Sequence, residues 1–235
     1  MRQRSTSRAR LGLVSAALMA LVVFSTGPVA ADTGPIGDAT FSQVGKSADA
    51  FSGECAPNGD GTTTCSFTSV SVFLGRMSDN VTSVTRLNQV CAYLDTATFV
   101  DETGEYVGDP ITEAGCEVDL PRGVLAFGTK LTTASLAATT VSIQAIHCDN
   151  DTGTCVAGPS RDVTVVGTWT GVGPTFVSKY RFSGADGTCR YAESGRGSSR
   201  EATFSGSVDG IALAGDVSAW MADGKQTFRS RCIEI

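Results

Sequence analysis

Apolar and polar residues alternate along most of the chain, which is the pattern expected of half-buried β-strands. In residues 161–172, RDVTVVGTWTGV, the side chains of Val163, Val165 and Trp169 fall on one face, and threonines occupy much of the other. Similar runs are CSFTSVSVFL (65–74), TTVSIQAIHC (139–148), TFVSKYRFSG (175–184), REATFSGSVDG (200–210) and KQTFRSRCIEI (225–235). The pattern predicts a protein built mainly from strands.

Segments rich in glycine and aspartate separate or interrupt these runs at the spacing typical of antiparallel strands. They are DETGEY (101–106), GADGTC (184–189), SGRGSS (194–199), SVDG (207–210) and ADGK (222–225), and each is predicted to be a turn. Residues 78–90 and 131–139 interrupt the alternation, and each has room for a short helix. We expect an all-β, antiparallel, sandwich-like fold.

Residues 1–31 have the three parts of a secretory signal: a basic start, an apolar run of fourteen residues, and small residues before Ala31. The apolar run is shorter than the roughly 20 residues of a membrane-spanning helix. We therefore predict cleavage after Ala31 and a secreted, extracellular protein with no membrane attachment. The alternative is an uncleaved membrane anchor.

Removal of the signal would leave 14 basic and 24 acidic residues, a net charge of −10. A charge of this sign opposes non-specific binding to nucleic acid or to anionic lipid, so neither is an expected partner. The basic residues are unevenly placed. Residues 176–235 hold 7 acids against 8 bases, whereas acids outnumber bases by 24 to 14 in the whole of the chain after the signal.

All eight cysteines follow the predicted signal, and an even number in an exported protein indicates four disulfides. The simplest connectivity pairs neighbours: Cys55 with Cys65, Cys91 with Cys116, Cys148 with Cys155, and Cys189 with Cys232. The first and third pairs flank NG, DG and TG turn signals, and we expect each to staple a hairpin. The competing interpretation is a calcium loop at 149–160, but Ser160 stands where a glutamate ligand is needed. No metal or other cofactor is expected.

The spacing of the cysteines is similar in the two halves of the chain and raises the possibility of a duplication. The first subdomain would be residues 32–125, with Cys55, Cys65, Cys91 and Cys116, and the second residues 126–235, with Cys148, Cys155, Cys189 and Cys232. The boundary would lie near LPRGVLAFGTK (120–130). A single domain is the alternative.

Residues suited to catalysis are scarce. His147 is the one histidine, and no G-x-S-x-G elbow occurs, so a serine triad is not supported. A glycosidase needs two carboxyl groups roughly 5–10 Å apart. The candidate pairs are Glu113 with Glu117, and Glu193 with Glu201, and their alternative interpretation is that of solvated surface acids. We assign no catalytic residue.

Two sets of residues are candidates for ligand binding. Trp169 and Trp220, with Tyr180 or Tyr191, would form a sugar-stacking platform if they were exposed. The preferred interpretation of both tryptophans is a place in the core.

The second candidate set is Arg196 and Arg200, which flank the glycine- and serine-rich stretch and are suited to an anion. The preferred interpretation is that these arginines pair with acids on neighbouring strands. The sharper alternative is a site for an anionic polymer or for the acidic face of a protein partner.

GTWTGVG, Gly167–Gly173, resembles the G-x-W strand that opens lipocalins and nitrobindin-like proteins, but too few residues follow it for such a fold. A broader resemblance rests on EAGCEVDL (113–120), AFGTKLTTASLAATTVSIQAIHC (126–148), SRDVTVVGTWTGVGP (160–174) and GSSREATFSG (197–206). Together these segments resemble a family of small secreted actinobacterial proteins without an assigned activity. The resemblance implies export and a disulfide-bonded β fold, and it supplies no functional residues.

The sequence thus predicts a secreted binding or interaction module that is not an enzyme. Two alternatives stay open: a module that binds cell-wall or other extracellular polysaccharide, and a carboxylate-dependent hydrolase of the glycosidase type.

Overall fold

The computed structural model describes residues 39–79, 85–108, 110–148, 154–186, 189–213 and 217–232. The predicted signal, residues 1–31, and the tip of the second cysteine hairpin, residues 149–153, lie outside these ranges. Among the described residues, no helix is long and apolar enough to cross a membrane.

Eleven antiparallel strands make up the described fold, with one 3-10 turn at Thr129–Leu131. The strands are β1 Ala39–Pro57, β2 Thr62–Asp79, β3 Thr85–Val100, β4 Ile111–Glu117, β5 Leu125–Phe127, β6 Thr133–Cys148, β7 Cys155–Gly171, β8 Phe176–Asp186, β9 Cys189–Val208, β10 Ile211–Ala212 and β11 Ser218–Cys232. The predicted all-β, antiparallel, disulfide-stabilised fold is confirmed.

The strands form one sheet that closes on itself. Following the pairings from β1 through β2, β3, β4, β6, β7, β9 and β11 leads back to β1. Opposite walls of this closed sheet face each other across a core, as the two layers of a sandwich do. Strand β8 pairs with β9 alone and continues that wall beyond the end of β7.

The core forms where alternate residues of each strand point inward. In β7 the buried residues are Val163, Val165, Gly167 and Trp169, as the alternation predicts. Trp169 is completely buried and packs against Phe204, with ring centroids 4.8 Å apart. Burying such side chains is the main stabilising contribution, about 25 cal/mol for each Å² of apolar surface.

Neither segment with room for a short helix is an α-helix where it is described. Thr85–Val100 is a strand paired with β2 and Thr133–Cys148 is a strand paired with β7, whereas residues 80–84 lie outside the described ranges. The stretch that begins β6 is rich in alanine, but Ala134 and Leu136 face the core on alternate positions. Burial in the sheet therefore outweighs local helix propensity here.

Two of the predicted turns are also wrong, because SGRGSS (194–199) lies within β9 and ADGK (222–225) within β11. The turns at DETGEY and SVDG are confirmed; in the second, Asp209 and Gly210 both have positive φ angles. Glycine is common in turns, but within a strand it can instead mark a place where two backbones approach closely.

The disulfides join residues directly opposite each other on adjacent strands. Cys55–Cys65 links β1 to β2, and Cys91–Cys116 links β3 to β4, so both predicted bonds are confirmed. Cys155 and Cys189 are also disulfide-bonded. Each lies opposite the cysteine that the prediction pairs with it, Cys148 and Cys232 respectively.

The two predicted subdomains share this sheet. Strand β4 of residues 32–125 pairs with β6 of residues 126–235, and β1 pairs with β11. Their buried residues form one hydrophobic cluster. A duplication in the history of the chain stays a prediction.

A row of four glycines crosses four adjacent strands just beyond the core residues of those strands. We call this end of the sheet the lower end. Gly197, Gly224, Gly45 and Gly75 lie opposite one another on β9, β11, β1 and β2. A Cβ atom on Gly45 would lie 2.6 Å from the carbonyl oxygen of Leu74, and one on Gly75 would overlap the carbonyl oxygen of Val44. We call this line the glycine crease, because the backbones approach one another unusually closely on this face.

We expect Gly75→Ala to destabilise the protein by about 1–3 kcal/mol, since the new methyl group meets backbone that cannot move away within the sheet. Urea unfolding monitored by circular dichroism measures this change. Ser66→Ala, an exposed position of the same strand, is the control and should change stability by less than about 0.5 kcal/mol. Equal stability of the two variants would show that the crease tolerates a side chain.

Candidate anion-binding face

Six strand segments extend beyond the core residues, on the side of the glycine crease, and form the lower end of the sheet. In order across the sheet they belong to β8, β9, β11, β1, β2 and β3. Their ladders run without a register shift, so side chains of the same parity stay on one face. We call the face that carries the core residues the inner face.

A row of cations crosses the inner face of the lower end. On successive strands from β8 to β3, the opposed residues are Lys179, Arg196, Lys225, Val44, Arg76 and Arg86. All six side chains are exposed. Adjacent strands are about 4.8 Å apart, so the row spans about 24 Å. We call its five charged members the cationic row.

Other cations share the inner face with this row. Lys46, Arg181, Arg190 and Arg229 have the same parity on their strands as the members of the row. Asp223 is the one acid that the described segments place on this face, opposite Lys46 and Ser198. Serine and threonine hydroxyls occupy many of the remaining positions.

Each of the five charged members of the row has another cation directly opposite. Arg196 lies between Lys179 and Lys225, and Arg76 lies opposite Arg86. Among the described residues, the salt bridges join Arg161 to Glu113 and Asp209, each at 2.7 Å, and involve no member of the row. Like charges directly opposite one another destabilise a sheet. The row therefore makes a destabilising contribution to the sheet.

Protection of sheet edges explains only part of the row. Lysine and arginine on edge strands prevent a sheet from pairing with other chains, and Lys179 on β8 and Arg86 near the start of β3 fit that role. Arg196, Lys225 and Arg76 lie on strands that are paired on both sides. For these three cations edge protection is not an explanation.

The cationic row ends in an open cavity of about 580 Å³. Its charged lining is Arg76, Arg86, Arg122 and Asp119, and its apolar lining includes Val44, Leu74, Leu87 and Leu120. The side-chain amide of Asn88, also in the lining, donates to the carbonyl oxygen of Leu120 at 2.8 Å. The Oδ1 atom of Asn88 is buried and lacks a hydrogen-bond partner within the described structure.

The structure does not bring the candidate sugar-stacking residues together. Trp169 is completely buried, where no sugar ring can reach it. Trp220 is 36% exposed on the outer face, and its side chain hydrogen-bonds Asp49. Along β11, Trp220 is six residues, or about 20 Å, from Gln226, whose row contains Tyr180. The alternative of a platform of tryptophans and tyrosines is therefore not realised. The preferred place in the core is confirmed for Trp169 and is wrong for Trp220.

The tyrosines instead pack on glycines of the outer face. The ring of Tyr180 covers Gly195 and that of Tyr191 covers Gly184. The Tyr180 hydroxyl donates to Glu193 at 2.6 Å, and Tyr191 contacts Phe182 with ring centroids 5.8 Å apart. Desolvation, followed by the bond to Glu193, raises the pKa of Tyr180 to about 12.

The two candidate arginines have different roles. Arg196 belongs to the cationic row, and its expected pairing with acids on neighbouring strands is wrong, because its cross-strand neighbours are cations. Arg200 donates through Nε to the carbonyl oxygen of Gly173 at 3.2 Å and packs at Gly171. It thus holds the connection between β7 and β8. Neither arginine lies in the predicted loop, because both belong to β9.

The candidate carboxylate pairs are too widely separated for a glycosidase. Glu113 and Glu117 are four residues apart on β4, which corresponds to about 13 Å, and Glu193 and Glu201 are eight apart on β9, about 26 Å. Glu113 accepts two hydrogen bonds from Arg161, which lower its pKa. Glu193 accepts from Tyr180 and Gln226. Neither candidate pair therefore has the spacing of a glycosidase dyad, in line with the interpretation of these residues as surface acids.

Asp49 is the acid with the most unusual environment. It lies on the outer face between Ser71 and Trp220, and the Ser71 hydroxyl donates to it at 2.6 Å. Desolvation raises its pKa to about 6, although both hydrogen bonds favour the charged form. No metal-binding group of three or more histidine, cysteine or acidic side chains occurs among the described residues.

Asp49 should make stability depend on pH. Because its pKa is about 6 in the folded protein and about 3.8 otherwise, the folded state binds this proton more tightly. The free energy of unfolding should therefore fall as pH rises from about 4 to about 6 and show no further change from this group above that range.

Urea unfolding at several pH values tests this expectation, with Asp49→Asn as the comparison. The difference in unfolding free energy between the two proteins should change between pH 4 and 6, and Trp220 fluorescence should titrate near pH 6 in the parent alone. A difference that is flat over this range would contradict the assigned pKa.

Compared with known protein families, curated proteins and solved structures, the chain shows no match.

Proposed function

We propose that this protein is a secreted, non-enzymatic binding module for an anionic polysaccharide, which lies along the cationic row. The observation that carries the proposal is the row itself: five cations of one face, Lys179, Arg196, Lys225, Arg76 and Arg86, contributed by five strands. A row about 24 Å long can contact several successive charged groups of a polymer.

The surroundings of the row favour a polysaccharide over a nucleic acid. Proteins that bind single-stranded nucleic acid offer aromatic rings on which bases stack. The aromatic residues Tyr180, Phe182 and Tyr191 lie on the outer face, away from the row. Ser194, Ser198 and other hydroxyls on the inner face suit carboxylate groups and sugar hydroxyls instead.

The predicted export and disulfides support a ligand outside the cell. Disulfides persist in oxidising compartments. Cys55–Cys65 and Cys91–Cys116 are disulfides, and Cys155 and Cys189 are disulfide-bonded as well. A secreted protein meets charged polysaccharides of cell surfaces and of the environment. Membership of the secreted β-protein family that the sequence resembles is part of the same proposal.

Arg196→Gln tests the row at its most crowded position. The variant should bind polygalacturonate at least threefold more weakly than the parent, because one of the cationic contacts is lost. Its free energy of unfolding should stay equal or rise by several tenths of a kcal/mol, because repulsion with Lys179 and Lys225 is relieved. Affinity electrophoresis and urea unfolding measure the two effects.

Arg161→Gln is the control with the same loss of charge, since Arg161 pairs with Glu113 and Asp209 away from the row. It should bind polygalacturonate as the parent does and be less stable by up to about 1 kcal/mol. Binding should disappear at 1 M salt, where charges are screened within about 3 Å. Equal binding by Arg196→Gln and the parent, or tighter binding to single-stranded DNA than to any polysaccharide, would contradict the proposal.

Trp220→Ala should leave polygalacturonate binding unchanged, because Trp220 is on the outer face and hydrogen-bonds Asp49. Co-sedimentation with insoluble polysaccharides at low and high salt measures this. Salt-resistant binding that falls in Trp220→Ala would instead support stacking on the outer face.

A further inference from the structure

Strand β8 is an edge strand along its whole length. Within the described structure, the eleven residues Phe176–Asp186 pair with β9 and with no other strand. Their ladder has no register shift, and β8 contains no proline. In an antiparallel ladder, the backbone N–H and C=O groups of alternate residues point away from the partner strand. These groups of β8 are placed to pair with a further extended chain.

Other edges of the fold are protected. Strand β7 pairs with β9 only from Val165 onward, and the preceding stretch, residues 155–164, contains Pro159 and a register shift against β6. Proline and bulges prevent an edge from pairing with another chain. The start of β3, beyond its pairing with β4, is covered at Asn88, which donates to Leu120 and accepts from it. Within the described structure, β8 has none of these protections.

Strand β8 also exposes large apolar side chains. Phe176 and Phe182, on the outer face, are 58% and 56% exposed, and Val177, on the inner face, is 82% exposed. A long, regular and apolar edge strand without cover is a site of pairing with another chain. Both the backbone and the side chains of β8 therefore suit an extended segment that lies along it.

Charge determines which segment fits. Lys179 and Arg181 of β8 lie on the inner face, where the neighbouring β9 adds Arg190 and Arg196. Opposite charges on facing residues of two strands stabilise the pair, whereas like charges destabilise it. A segment with acidic residues at alternate positions, all on the inner face, complements these cations.

A second copy of β8 does not meet this requirement. In the antiparallel pairing that aligns all of Phe176–Asp186 with a second copy, Arg181 lies opposite the same residue of that copy. A shift by two residues in one direction instead places Lys179 opposite Arg181 at two positions. Repulsion of this kind selects against self-pairing and leaves the edge open to an acidic partner.

We propose that the free edge of β8 is a docking site for an extended, acidic segment of a protein partner, which adds to the sheet as a further strand. Its acidic residues lie beside Lys179 and Arg181, and its apolar residues lie beside Phe176 and Phe182. The inference goes beyond the proposed function, because the partner is a protein and its main contacts are backbone hydrogen bonds along the edge.

The test measures binding of a capped peptide, in which glutamate alternates with threonine and valine, by NMR titration of the oxidised protein at low salt. Binding should be saturable and should slow amide hydrogen exchange at alternate residues of β8, because these amides gain acceptors. A peptide with lysine in place of glutamate should bind roughly tenfold more weakly, since several facing pairs change from attraction to repulsion. Equal binding of the two peptides would overturn the proposal.

N-methylated peptides distinguish strand addition from attraction to the cationic row. In an extended peptide, the amides of the glutamates point to one edge and those of the other residues point to the opposite edge. Of two forms, methylated on the glutamates or on the other residues, one should bind at least as tightly as the unmethylated peptide. The other should bind roughly tenfold more weakly, because its hydrogen bonds to β8 are lost. Equal binding of the two forms would contradict strand addition.

Two variants with the same loss of charge locate the site. Arg181→Gln should weaken peptide binding roughly threefold, because one facing pair of opposite charges is lost. Arg229→Gln, on the same face but two strands away on β11, should change it by less than about twofold, because it faces no residue of the peptide. An equal effect of the two substitutions would show that the peptide binds the face rather than the edge of β8.

The outcomes also separate this inference from the proposed function. If polygalacturonate binds and the acidic peptide does not, the docking site is overturned and the proposed function stands. If the peptide binds and no anionic polysaccharide does, the reverse holds. Analytical ultracentrifugation of the protein alone should show a monomer. A stable dimer with protected β8 amides would assign the edge to a second copy and overturn the docking site.

Discussion

The unbroken antiparallel register of β9, β11, β1, β2 and β3 is the constraint on which the rest of the structure depends. Because side chains alternate with a period of two, the register that places Ala48, Val72 and Met221 in the core also fixes the face of every residue below them. A shift by one residue in any strand would move its cation to the outer face. Core packing and the cationic row are therefore set by the same pairings.

Local features of the sequence predicted the parts of the fold that depend on neighbouring residues. Alternation identified the buried face of β7, with Trp169 in the core, and cysteine spacing identified the bonds Cys55–Cys65 and Cys91–Cys116. The glycine-rich stretches of β9 and β11 were wrongly predicted to be turns, because close backbone approach and tight turns both favour glycine. Which of these applies depends on the neighbouring strand, and a single strand's sequence does not contain that information.

The cationic row could not be predicted in the same way, because its members lie between residues 76 and 225 and meet only through long-range pairing. One local signal was present. Within each strand the basic residues share a parity: Lys179 with Arg181 in β8, Arg190 with Arg196 in β9, and Lys225 with Arg229 in β11. A period of two in charge indicates a charged sheet face, as a period of two in hydrophobicity indicates a buried one. The cavity gave no such signal, since Arg122 and Asp119 reach it from a connecting segment.

The glycine crease and the cationic row are adjacent along the chain, which connects the stability of the sheet to its surface charge. Gly75 precedes Arg76, Gly197 follows Arg196, and Gly224 precedes Lys225. The ring of Phe73 packs on Gly45 and Gly75, and its Cζ atom lies 2.7 and 2.6 Å from where a Cβ atom on each would stand. Because neighbouring residues point to opposite faces, the positions that accept this ring on the outer face are directly followed or preceded by cations on the inner face. A larger residue in the crease would displace the ring or the backbone, and a shift of the backbone would also move the strands that carry Arg76 and Lys225.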